Sequence, residues 1–267
     1  MFATMKIRYF LLIGLLILVA DLFIFGVSDE DWFSFGLSYT LLGFYPILWL
    51  KYQLKKRGRM LSTVIQPSGT VKRLPGLLYV VIVVMFFSFG AFWLLNFGLS
   101  FAFPGAVDFL LQEDELLPEG GMLFVWMVIY VGILGPVAEE IIFRGLLLNR
   151  LTAKLNPIAG LIIANGLFGI MHMDIIGAFI FGVMMSLLYF KTNNLWWPMM
   201  VHMLNNSIIM VMQLFHIPDP AFATYTNISQ VRDMWLPNTV ILAISAVLVI
   251  LFIRQKTQEI NWNMLCR

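Results

Sequence analysis

The amino-acid sequence predicts an all-α protein, a polytopic bundle of about eight transmembrane helices with both termini in the cytoplasm, and three observations carry that expectation. The composition is 60% hydrophobic and only 12% charged, against about a quarter charged in soluble domains. The apolar residues fall into runs near or above the ~17 residues that cross a bilayer. The basic residues gather in alternate connections between those runs, as expected for cytoplasmic loops.

Taken in order, the predicted spans are residues 8–27, 33–50, 75–98, 121–148, 157–173, 175–190, 195–215 and 237–253. The first reads as a retained anchor, because Asp21 interrupts it, its apolar stretch exceeds a signal core and no small-residue cleavage pattern follows. If every run crosses, Lys6, Arg8, the cations of residues 51–73, Arg144, Arg150, Lys154, Lys191, Arg254, Lys256 and Arg267 share one side, and Arg232 alone falls opposite. Asp29, Glu30, Asp31, Glu113, Asp114, Glu115 and Glu119 collect on Arg232's side. The first side is therefore assigned to the cytoplasm. Without repeats, and with residues 51–74 as the only long polar linker, residues 1–267 read as one membrane domain of the cell membrane.

The formal charge of +2 gives no argument for a nucleic-acid partner. The single cysteine, Cys266, has no intrachain disulfide partner and cannot build a paired-cysteine zinc site. It is also second from the end, whereas a prenylation box has cysteine fourth from the end.

Polar residues inside the apolar runs are the informative ones, because an intramembrane charge persists mainly where it is paired, lines a cavity or carries chemistry. Glu139 and Glu140 stand together in the fourth span with Arg144 following, the fifth span has Phe168 and His172, and the seventh has His202, Asn205 and Asn206. Glu140/Arg144, Phe168/His172 and His202/Asn206 are each i, i+4 pairs, so on helices each pair shares a face. A carboxylate can take a proton from water, and imidazole or carboxamide N–H groups can hold an oxyanion. Glu139 has no basic neighbour at i+3 or i+4 on its own helix. Blander roles also fit these residues: Glu140 with Arg144 as a helix-stabilising ion pair, the histidines as helix-packing residues, Asn205 and Asn206 as interhelical glue, and Phe168 as packing. Asp21 and Asp174, near span ends, are expected to face water, and His216 and Asp219 to lie in a polar loop.

The ordered set Glu139-Glu140-x-x-x-Arg144, Phe168-x-x-x-His172 and His202-x-x-x-Asn206 resembles the CAAX protease and bacteriocin-processing (abortive-infection) family of intramembrane glutamic endopeptidases. The resemblance covers about residues 121–215, the expected catalytic core, and extends to Asn193-Asn194-Leu195-Trp196-Trp197-Pro198 ahead of the third motif. It implies Glu139 as base on the attacking water, His172 as its helper, His202 and Asn206 as oxyanion donors, and Glu140, Arg144 and Phe168 in support. It implies a membrane-associated peptide or protein as substrate, in a lipid bilayer, and no cofactor. Zinc is possible but not favoured, since H-E-x-x-H is absent and the histidines come from different helices. Two other classes compete: a non-proteolytic bacteriocin immunity or scaffold protein that keeps the motifs for packing, and a transporter, for which inverted repeats and broken helices are missing. One geometric difficulty accompanies the set. On the predicted boundaries Glu139 stands near the cytoplasmic end of its span while His172 is ~22 Å from the cytoplasmic end of its own. Tilt, a longer fourth helix or a misplaced boundary has to close the gap.

Overall fold

A computed structural model describes residues 2–25, 35–67, 70–111, 121–215 and 225–262, and all regular structure among them is helical. Asp29, Glu30, Asp31, Glu113, Asp114, Glu115, Glu119, His216, Asp219, Cys266 and Arg267 lie outside the described residues. Every predicted apolar run contains a helix. α1 is Ile7–Ile24, α2 joins Ser38–Phe44 to Tyr45–Lys55, α3 is Thr70–Ala102, and the short α4 is Pro104–Leu111. α5 is Gly121–Lys154, α6 Pro157–Ile170, α7 Ile175–Thr192, α8 Trp196–Leu214, α9 Ile228–Asp233 and α10 Trp235–Glu259.

Among the described residues five helices, α1, α3, α5, α7 and α10, are long and apolar enough to cross a membrane, which makes this a multi-pass membrane protein. α6, with 14 residues, rises only about 21 Å. The predicted fifth span overran it: residues 171–173 form a turn, so His172 is beyond the helix end and not on a helical face. The predicted fourth span was too short in the opposite sense. α5 runs on to Lys154 because Asn149 to Lys154 continue the helix in polar sequence. Glu139 is thus 15 residues before Lys154, and His172 is 15 residues after Pro157, so both stand about 22 Å along their arms. Glu139 and His172 line the same cavity.

The α5–α6 turn forms for local reasons. Asn156 caps α6 by accepting the Ala159 N–H at 2.8 Å, and Pro157 at the first helical position has no N–H to orphan. Close approach then depends on small residues. A Cβ on Gly160 would lie 2.6 Å from Thr152 Oγ1 and 2.8 Å from its backbone nitrogen, and one on Gly182 would lie 2.6 Å from Asn165 Oδ1. The approach at Gly182 lets buried Asn165 donate to Ser186 Oγ at 3.0 Å, tying α6 to α7. α3 packs along α10 on the other flank and also meets α7 and α8.

Two apolar clusters bracket the centre of the bundle. One joins Phe2, Met5, Trp49, Leu50 and Leu54 to Ile141 and Leu148 of α5, and the other joins Val81 and Val84 of α3 to Phe143, Phe168, Phe181 and Val201. Asp21 departs from expectation: it is buried and accepts a hydrogen bond from the Thr40 hydroxyl, because α1 lies against α2 at that level and burial without a donor would be unfavourable.

Gly182→Leu should therefore part α6 from α7 and lower stability by about 1–3 kcal/mol, seen as a lower midpoint in thermal unfolding of the detergent-purified protein. Gly98→Ala, where nothing lies within 4 Å of the added carbon, should leave the midpoint unchanged or slightly raised; equal midpoints for the two variants would refute the packing role given to Gly182.

Candidate active site

α5 is not a uniform helix where it carries the glutamates. Two wide π-helical stretches, Tyr130–Leu134 and Ile141–Leu148, flank the α-helical Gly135–Glu140. Pro136 supplies a reason for the first, since it brings no N–H to the ladder and its ring would crowd the carbonyl four residues back. A π turn relieves that crowding and frees carbonyl groups. One of them, Val131 O, accepts from Asn206 Nδ2 at 2.9 Å, so the irregularity of α5 docks α8.

Glu140 is the fully buried hub. Its Oε1 accepts from Arg144 Nη1 at 2.9 Å and from His202 Nδ1 at 2.9 Å. Arg144 is itself fully buried, with its guanidinium over the Phe168 ring at 4.6 Å, a cation–π contact that strengthens away from water. Glu140 with Arg144 is thus the ion pair the spacing suggested, and it also holds an imidazole from another helix.

Because Nδ1 of His202 donates to a carboxylate, the Nε2 edge is turned the other way, 3.8 Å from Glu139 Oε2. That separation is beyond hydrogen-bond length. Oε2 of Glu139 is buried and has no hydrogen-bond partner among the described residues, although the side chain as a whole keeps 32% of its exposure. His172 completes the group from the turn after α6. Its Nδ1 donates to Phe168 O at 2.7 Å and its ring lies tilted against Phe168 at 4.4 Å between centroids. Nε2 is then the nitrogen with a free lone pair in the neutral ring.

Phe168 does more than pack. Its ring touches His172, His202 at 6.0 Å and Arg144, with Phe143 and Phe181 behind it. Phe181 of α7 also meets His202 edge-on at 4.9 Å, a contact that no spacing in the sequence announces. Glu139, Phe168, His172, His202 and Asn206 all line one cavity of about 610 Å³. Glu140 and Arg144 lie behind its wall. Sequence reasoning missed three polar groups on that cavity: Ser88 of α3, Asn205 of α8 as a wall residue, and Asp174. Asp174 was expected to face water. It instead caps α7 by accepting the Gly177 N–H at 2.9 Å, and it bonds the Ser88 hydroxyl from across the cleft. Among the described residues no three His, Cys, Asp or Glu side chains are grouped to hold a metal ion.

A helical membrane bundle with glutamate, two imidazoles and a carboxamide on one cavity defines the class, a multi-pass membrane protein with a polar centre. Residues 121–208 match the family described as type II CAAX prenyl endopeptidase Rce1-like. The chain is 34% identical over 91 residues to the putative membrane peptidase YdiL of Bacillus subtilis, covering 33% of this chain and 37% of that protein. It is 35% identical over 98 residues to the membrane-embedded CAAX protease MroQ of Staphylococcus aureus, covering 33% of this chain and 40% of that one. The matches thus span about two fifths of these relatives' lengths. This segment is thus similar to membrane peptidases of the CAAX type. No solved structure matches.

Arg144→Ala should leave Glu140 buried without its cation, a loss of about 3–5 kcal/mol. Differential scanning fluorimetry should show a large drop in midpoint. A drop no greater than that of an exposed Lys→Ala control would mean the pair is not holding the site.

Proposed function

We propose that the protein is an intramembrane endopeptidase that hydrolyses a peptide bond of a membrane-associated peptide or protein through a water activated by Glu139. The observation that carries this reading is that Glu139, with about a third of its side chain exposed and no hydrogen bond to Oε2, lines the same cavity as His172, His202 and Asn206. An unpartnered carboxylate oxygen in an apolar bundle is unfavourable unless it serves a purpose.

In this mechanism Glu139 takes one proton from water as the oxygen attacks the carbonyl carbon, while Nε2 of His172 accepts a hydrogen bond from the same water and aligns it. The carbonyl oxygen becomes an oxyanion. Asn206 uses one amide hydrogen on Val131 O and has the second for the oxyanion. His202 can donate from Nε2 only when both ring nitrogens carry protons, and Glu140, fixed by Arg144, supplies the countercharge. The proton on Glu139 then passes to the leaving nitrogen as the C–N bond breaks, giving one new carboxyl and one new amino terminus. No metal enters these steps.

Glu139→Gln should reduce turnover at least about a hundredfold, since general-base catalysis is typically worth that much, with insertion and thermal midpoint retained. Retention of more than about a tenth of wild-type turnover would remove Glu139 from the role of base. His202→Ala and Asn206→Ala should each lower kcat about a hundredfold with little change in KM, as expected for groups that act in the transition state; a rise in KM alone would make them substrate-binding groups. Prolonged treatment with a membrane-permeable chelator should leave activity in place. Activity lost on chelation and restored by one equivalent of zinc would replace the base mechanism with a metal one and recast a glutamate as ligand.

A further inference from the structure

The walls of the cavity are chemically one-sided. α3 contributes Val84, Met85, Phe89 and Phe92, all apolar, beside Ser88, and the acidic side chains are two, Glu139 and Asp174, with the imidazoles of His172 and His202 engaged in the proposed chemistry. No Lys or Arg is among the described residues that line it. Arg144, the cation of the site, is fully buried behind the wall and committed to Glu140 and Phe168. Asp174 stands in the turn that also carries His172, and the two interact electrostatically. Ser88 reaches Asp174 from α3, so this carboxylate sits where the cleft passes between α3 and the 171–174 turn.

Charge at that place has consequences for what can enter. In a low-dielectric cleft a second anion is repelled far more strongly than in water, and a cation is attracted correspondingly. A peptide cut three residues from its own C-terminus would bring a free α-carboxylate within about 10 Å of the scissile bond, with no Lys or Arg on the described cavity wall to receive it.

Building on the peptidase reading, we infer that Asp174 is a specificity-determining residue. The substrate is an internal apolar segment, with a basic or uncharged residue near the scissile bond and no free carboxylate within about three residues of the cut.

The test uses the full-length protein in lipid nanodiscs and a set of apolar peptides identical except at one position. Lys, Gln or Glu is placed in turn at each of three positions on either side of the bond, and one parent is made both as free acid and as C-terminal amide, with the carboxyl three residues from the cut. At one position or more, kcat/KM should favour Lys over Glu by at least about tenfold, and the amide should exceed the acid by a similar factor, as expected when like charges are brought together in a desolvated site. Asp174→Asn keeps a side chain able to cap α7 and should bring the Lys-to-Glu ratio below about threefold, whatever its absolute rate. A wild-type enzyme that cleaves the set without discriminating by charge, or that cuts the free acid as well as the amide, overturns this inference and leaves the peptidase reading standing. An unchanged Lys-to-Glu ratio in Asp174→Asn removes the residue from the role. If that variant does not fold, the acid-against-amide comparison on the wild type decides. Failure of the wild type to cleave any member overturns the peptidase reading and the inference with it.

Discussion

The buried carboxylate of Glu140 is the contact on which the centre of this protein depends. One oxygen accepts from both Arg144 and His202, so it joins a local helical pair to a residue 62 positions away. Two charges removed from water are costly to separate, so the Glu140–Arg144 pair resists any change that parts them. α5 and α8 are therefore held in one relative register at the point where chemistry is proposed. The same contact fixes which edge of His202 meets the cavity. Glu139, one residue away on the helix, is turned to a different side and keeps an unpartnered oxygen. Adjacent glutamates thus have different environments, Glu140 fully buried with one oxygen bonded to Arg144 and His202 and Glu139 on the cavity wall, because successive residues on a helix point about 100° apart.

Helix irregularity serves the same arrangement. The π stretches on either side of Gly135–Glu140 widen α5 where Pro136 interrupts its ladder and release a carbonyl for Asn206. α6 ends early, and the turn that follows returns the chain through His172 and Asp174 to α7. Non-helical backbone at membrane depth is tolerated where it is shielded by protein or lines a cavity, and residues 171–174 do line one. The aromatic ring of Phe168 fills the space among these parts, contacting two imidazoles and a guanidinium.

Much of this was legible in the residues themselves. The apolar runs, the basic loops and the Glu139, Phe168 and His202 motifs are local features, and hydrophobicity and i, i+4 spacing act over a few residues. They were enough to predict an all-helical membrane chain and to nominate seven candidate residues. Five of those residues share the cavity and the other two stand behind it. Helix ends were less legible. α5 continues through polar residues that hydropathy reads as loop, and α6 stops at Ile170 while the sequence is still apolar, because its end is set by the turn and the Asp174 cap.

The sequence by itself determined the solvent of this protein, its helices and the chemical identities available to its centre, since each depends on composition or near-neighbour spacing. Tertiary structure alone decided the pairing of those groups: that His202 hydrogen-bonds Glu140 and not Glu139, that Phe181 braces His202, and that Asp21 and Asp174 turn inward to Thr40 and Ser88. Those contacts join residues from 19 to 86 positions apart. Their partners are chosen by how helices cross and which small residues let them approach, and no local pattern encodes that choice.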